Sequence, residues 1–255
     1  MELARMTWEE VAALARAKPV ALLPVGAVEQ HGPVLPLGTD AAIATHVARL
    51  AANRDDRLLL PTLTVGVSHE HRHFPGTLTV SPDQLRDLAI AMGRSLLGHD
   101  LRRVVFVNGH GSNAAPLADA TLVLREESVH AFVFHWWQSV AETLAALFPK
   151  EDAHAGAVEA SAMLAIDPAS VRTHRMKDAN ADRGARAPWG KYVEGVQVAF
   201  DAAEFSDLGH VGDPSRADAE KGRALLSEAA ERLGRFCDWL AARPEDAPPP
   251  CSRKA

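Results

Sequence analysis

Three stretches of this chain place an imidazole near glycine, two of them with carboxylates as well. The first is Glu29-Gln30-His31-Gly32-Pro33, followed by Asp40. In an extended segment, residues two apart project to the same side, so Glu29 and His31 can face one pocket. Glutamate, histidine and aspartate together suit a first-row divalent cation such as zinc, manganese or iron. Asp40 also opens an Ala-rich stretch, where a helix N-cap would serve it equally well.

The second stretch is Asn108-Gly109-His110-Gly111-Ser112-Asn113, directly after the apolar run Val104 to Val107. Glycine there would let the backbone turn sharply and approach a ligand. His110 would stand at the carboxyl end of a strand, as a ligand or as part of an ordinary βα loop. The G-x-G-x-x-G pattern of dinucleotide sites is incomplete. The third stretch runs from Asp152 through His154 to Glu159. Residues five apart on a helix face different ways, so His154 and Glu159 converge only if His154 precedes the helix and Glu159 sits in its first turn. A first-turn glutamate also suits the helix dipole. A fourth stretch, His69 to Thr77, contains His71 and reads as a loop over a site mouth. His135-Trp136-Trp137 ends a strand, and Trp137 can wall a pocket or belong to the core.

The elements that must position these groups are legible in outline. Thr7 to Glu10 reads as a capping box opening a helix, and Ser81-Pro82-Asp83-Gln84 as a second one, for a helix reaching about Gly98. Short apolar runs predict strands at 20–25, 58–65, 104–107 and 129–136, with Pro61 weakening the second. Helical patterns follow Asp40 and Asn113, and cover 156–166 and about 216–242. Strands alternating with helices predict an α/β fold, a three-layer α/β/α arrangement with a mainly parallel sheet. Such sheets bind ligands beyond the carboxyl ends of their strands, where the polar stretches lie. A single domain over 1–242 and a Pro-rich flexible tail at 243–255 are expected.

Composition narrows the function. The formal net charge is −6 and no basic block appears, which argues against a nucleic-acid partner. The two cysteines, Cys237 and Cys251, are too few for a cysteine zinc site, and a structural disulfide is not expected. No apolar run is long enough for a membrane span, and the N-terminal residues show no secretory pattern, so a cytoplasmic protein is expected. No G-x-S-x-G elbow is present.

Taken in order, Glu29-Gln30-His31-Gly32-Pro33 with Leu35-Pro36 and Asp40, Phe74-Pro75-Gly76-Thr77, Asn108-Gly109-His110-Gly111, His154-Ala155-Gly156 with Glu159, and Gly212-Asp213-Pro214 with Glu220-Lys221-Gly222 resemble the creatininase superfamily. The style is closest to its mycofactocin-precursor peptidase branch. The resemblance implies a metal-dependent amidohydrolase with two divalent ions (Zn²⁺, Mn²⁺ or Fe²⁺). Glu29, His31, Asp40, His110 and Glu159 would be ligands, with Asp40 bridging. His154 would shuttle a proton, with Glu159 the other candidate for catalysis. His71, Trp137 and Ser112 would contact substrate. Ser112 stands where creatininase itself has an acidic ligand, which argues against creatinine as substrate. The substrate would be a small-molecule or short-peptide amide, and the resemblance implies a homo-oligomer, commonly a hexamer. Trimming of a small precursor peptide and a non-catalytic metal-binding role are the competing readings.

Overall fold

A computed structural model describes residues 1–149, 154–182 and 192–244. Asp152, Cys251 and the tail from 245 onward lie outside the described residues. Helix α1 (Trp8–Ala15) begins with the expected capping box: Glu10 N donates to Thr7 Oγ1 at 3.3 Å and Thr7 N donates to the Glu10 carboxylate at 2.6 Å. Strand β1 (Val20–Val25) leads to α2 (Thr39–Ala51), β2 (Arg57–Leu59) and α3 (Pro82–Leu97). Helix α3 has the second capping box, with Pro82 in its first turn. Strand β3 (Arg103–Asn108), α4 (Ala114–Glu126) and β4 (His130–His135) follow, then the short helices α5 (Trp136–Ser139) and α6 (Ala141–Leu147). Helices α7 (Ala157–Ile166) and α8 (Met176–Ala181) precede a hairpin of β5 (Tyr192–Val193) and β6 (Val196–Gln197). Helix α9 (Ala219–Ala241) closes the described chain.

The four main strands form one parallel sheet in the order β2-β1-β3-β4. Alternate residues face opposite ways along each strand. Val20 and Leu22 of β1 join Val105 and Val107 of β3 in a core with α2, α7 and α9. Ala21, Leu23 and Val25 join Val104 and Phe106 in a second core against α3 and α4. Helices thus cover both faces, and the three-layer expectation holds. No helix among the described residues is long and apolar enough to cross a membrane.

Three local expectations are corrected. The strand expected over 58–65 ends at Leu59, because Pro61 has no N–H for the ladder; beyond it only Leu63 returns, bridging Val25. Asp40 is not a cap. Helix α2 starts at Thr39 with Gly38 in the cap position and no side-chain cap bond. Helix α9 starts at Ala219 rather than near 216, because the Asp218 carboxylate accepts from Glu220 N and Lys221 N.

Register sets the site. Val25, Asn108 and His135 are paired in one row across β1, β3 and β4, so the residues after each emerge at the same edge. The start of α2 is pressed onto that edge. A Cβ on Gly109 would lie 2.3 Å from the Asp40 carbonyl oxygen. Gly109 has no left-handed backbone, so it is needed for close packing rather than for the sharp turn its context suggests. Around Gly111 there is open space. Gly109→Ala should therefore destabilise the fold by about 1–3 kcal/mol through overpacking, whereas Gly111→Ala should change stability little. Urea denaturation of both variants checks this, and equal midpoints would contradict the packing argument.

Candidate metal centre

The loop after β1 carries Glu29, Gln30 and His31 into the interior. Glu29 is fully buried, and Asp40, in the first turn of α2, is 1% exposed. His110 follows β3, where Asn108 shapes its turn: Asn108 Oδ1 accepts from His110 N at 3.1 Å and its Nδ2 donates to His110 O at 2.8 Å. Asn113 clips two more segments together, accepting from Val67 N and donating to Gly26 O, both at 2.9 Å. Glu159 lies in the first turn of α7 and accepts from Ala155 N at 2.6 Å. His154 precedes that helix, so the condition for the two to converge is met.

Asp40 stands at the centre. Its Oδ1 lies 3.2 Å from His31 Nε2, and its Oδ2 lies 3.2 Å from His110 Nδ1. Glu29 Oε2 is 3.2 Å from His110 Nε2, and Glu159 Oε2 is 3.7 Å from His31 Nε2. Two triads, Glu29–Asp40–His110 and His31–Asp40–Glu159, each offer ligand atoms within 4.8 Å of one another, and they share Asp40. A third triad is Glu29–His31–His154. All five residues expected as ligands therefore meet in one place.

Electrostatics reflect the crowding. Burial pushes the Glu29 carboxyl up, with His110 opposing. Burial raises Glu159 to about 7. Burial would lower His31, but Asp40 and Glu159 outweigh it and hold the imidazolium up to about 10. His110 is likewise raised against burial, chiefly by Glu29. Asp40 is held below the usual carboxylate range, because His31 overcomes the effect of burial. Both carboxylate oxygens of Glu29 and Oδ2 of Asp40 are buried without a hydrogen-bond partner.

Gln30 escaped the sequence reading. Its Nε2 lies 2.7 Å from His71 Nδ1, 2.9 Å from His154 Nε2 and 2.5 Å from Gly209 O. His154 Nε2 is also 3.0 Å from Gln30 O. An amide has two hydrogens, so the three contacts of Nε2 cannot all be donations. The arrangement that satisfies every group has Gln30 donating to Gly209 O and His71 Nδ1, while His154 Nε2–H donates to Gln30 O. His154 Nδ1 is then unprotonated and faces Glu29 Oε1 at 3.6 Å. Burial first, then the cationic His31, holds His154 well below its ordinary pKa. The His71 ring stacks on His154 with centroids 4.4 Å apart.

A cavity of about 510 Å³ opens onto the cluster, lined by Asp40, His110, His154 and Glu159 and walled by Trp136, Trp137 and Val158. His71 and Ser112 also line it, so the three residues expected to touch substrate all reach it. Trp136 is also core, at 2% exposure. Arg72 and His73 turn away to Asp201, with Arg72 Nη2 2.8 Å and His73 Nε2 3.0 Å from Asp201 Oδ2. Cys237 is buried and its thiol is pushed up to about 12 by burial, so it is no nucleophile.

The profile of the creatininase family, described as creatinine amidohydrolase, matches residues 4–237. The mycofactocin precursor peptide peptidase of Mycobacterium tuberculosis (strain CDC 1551 / Oshkosh) is 35% identical over 237 residues, covering 88% of each chain. The creatinine amidohydrolase of Pseudomonas putida is 31% identical over 248 residues, covering 89% of this chain and 92% of its own. A solved structure described as "Creatininase Mn" superimposes with a TM-score of 0.82 at 25% identity, covering 95% of this chain and 99% of that one. This chain belongs to the creatininase family and is an amide-bond hydrolase.

Proposed function

We propose that the chain hydrolyses an amide C–N bond with two divalent metal ions, one held by Glu29, Asp40 and His110 and the other by His31, Asp40 and Glu159. The observation that carries this reading is the pair of triads sharing Asp40, one carboxylate oxygen turned to each. The site fits such ions on its own chemistry. Buried carboxylate oxygens without hydrogen-bond partners are costly, and cations would satisfy them. Imidazole and carboxylate donors suit zinc, manganese or iron. When bound, such ions polarise a carbonyl oxygen and acidify a water to a pKa near 7.

The chain's own residues do the rest. Asp40 and Glu29 are immobilised by burial and fix the geometry. The unprotonated Nδ1 of His154 faces the cluster, so His154 accepts a proton there and passes it to the departing nitrogen. Trp136, Trp137 and Val158 give the cavity apolar walls suited to holding a small amide. A cavity of this volume takes a small molecule or the end of a short peptide. The 35% identity to a relative named for a precursor peptide favours the short peptide.

Dialysis against a chelator should abolish hydrolysis of amide substrates, and Mn²⁺ or Zn²⁺ should restore it. Full turnover by protein shown to be metal-free would refute the proposal. His154→Ala should lower kcat by about 10²- to 10⁴-fold, the usual worth of general acid–base help, while elemental analysis finds the metal content unchanged. Loss of an ion in that variant would make His154 a ligand instead. Metal loading should also depend on pH. His31 and His110 carry protons at neutral pH in the metal-free protein, and the raised Glu159, near 7, begins to bind one as pH falls. Ligands must lose these protons, so loading at pH 7 should release about two protons from the histidines, plus a fraction from Glu159, and affinity should fall as pH drops below 7. Calorimetry in buffers of different ionisation enthalpy reads the proton count; affinity independent of pH from 6 to 8 would contradict it.

A further inference from the structure

One carboxylate in the cavity wall belongs to neither triad. Glu70 sits in a single 3₁₀ turn, His69–His71, and lines the same cavity as Asp40 and Glu159. It is half-buried, and its partner among the described residues is a neutral hydroxyl: Ser112 Oγ donates to Glu70 Oε1. Among the described residues, the neighbouring Arg72 and His73 do not answer it, because both are committed to Asp201. No lysine or arginine appears among the cavity's described lining residues, while Trp136, Trp137, Leu144, Val158 and Val211 supply apolar wall. A carboxylate held in place by a hydroxyl, in a cavity with an aromatic wall and no lysine or arginine among its described lining, is a ready acceptor for a cation or an N–H donor.

Resting on the hydrolase reading above, we propose that Glu70 is a specificity-determining residue that selects substrates carrying an ammonium, or a similarly strong N–H donor, attached to an apolar group beside the scissile amide. Ser112 is its positioning residue. The hydroxyl fixes one carboxylate oxygen and leaves the carboxylate able to accept from substrate. The absence of arginine and lysine from the described wall disfavours substrates whose recognition group is anionic.

A pair of ligands without any amide bond isolates this claim from turnover: 2-phenylethylamine, an ammonium at pH 7, and its neutral counterpart 2-phenylethanol. Binding to the manganese-loaded protein is measured by calorimetry, with metal content determined in parallel. The wild type should bind the amine about tenfold or more tightly than the alcohol, the scale of a hydrogen bond to a charged group. Glu70→Gln keeps the shape and can still accept from Ser112, so it should bring the two ligands to parity with metal content intact; Glu70→Asp should keep part of the preference. Equal affinities in the wild type, no measurable binding of either ligand, or a preference that survives Glu70→Gln would each overturn the assignment. Loss of an ion in Glu70→Gln would also overturn it, by making Glu70 a ligand. Because neither ligand can be hydrolysed, failure here leaves the metal-dependent hydrolysis to stand or fall on its own test.

Discussion

Burying Glu29 and Asp40 beside Glu159 is the constraint that the rest of the molecule answers. Two unit charges 4 Å apart interact by about 4 kcal/mol at an effective dielectric of 20, and these carboxylates share one closed corner. Among the described residues no lysine or arginine forms an ion pair with them; their ion-pair partners are His31, His71, His110 and His154. Without metal, protons on His31 and His110 offset the carboxylates, which is why both imidazoles are held up despite deep burial. In the proposed loaded state the same two rings give up those protons and become ligands. The histidines thus neutralise the corner in one state and coordinate in the other. Glu29, with neither oxygen hydrogen-bonded, is the group that most needs the second state.

Convergence at this corner comes from strand register rather than from any local motif. Parallel pairing brings the ends of β1, β3 and β4 level, so the segments that follow them meet. Helix α2 must then approach closely enough for one side chain to reach both histidines. Only a residue without a Cβ fits at 109, since the Asp40 carbonyl occupies that space. Asn113, fully buried, holds the backbone of Gly26 and Val67 to the turn after His110. His110 Nε2 lies 2.7 Å from Val67 O, so donation there leaves Nδ1 toward Asp40.

Much of this was legible in the sequence, for reasons that differ by residue. The capping boxes at Thr7 and Ser81 could be read because the partners are three residues apart. Strands β1 and β3 could be read because strands buried on both faces are apolar throughout. The proposed ligands could be named because five motifs in order resemble the creatininase superfamily; each motif alone also fits a plain loop, cap or first-turn residue. What stayed hidden depends on contacts distant in sequence. Gln30 meets His71 across 41 residues and His154 across 124. Glu70 meets Ser112 across 42, and its own stretch shows only a run of ionisable side chains. The cap reading of Asp40 fails for a related reason: the helix begins one residue earlier than the aspartate, a boundary that a sequence pattern does not fix.

The same hidden contacts decide which histidine can carry a proton. His71 accepts from Gln30 at Nδ1, so its hydrogen lies on Nε2, the atom 3.6 Å from Glu29 Oε1. It therefore presents a donor to the cluster and supports the carboxylate. His154 presents the opposite face, an unprotonated Nδ1, because its Nε2–H is taken by the Gln30 carbonyl. At 15% side-chain exposure it also touches the cavity, where His31 is fully enclosed. A proton carrier must have a lone pair at the reacting side and reach the substrate, and of the four histidines around Glu29 and Asp40 only His154 meets both conditions without serving as one of the proposed ligands. One glutamine thereby sets two stacked imidazoles with opposite ring atoms toward the cluster, Nε2–H from His71 and bare Nδ1 from His154, the difference on which the proposed role of His154 rests.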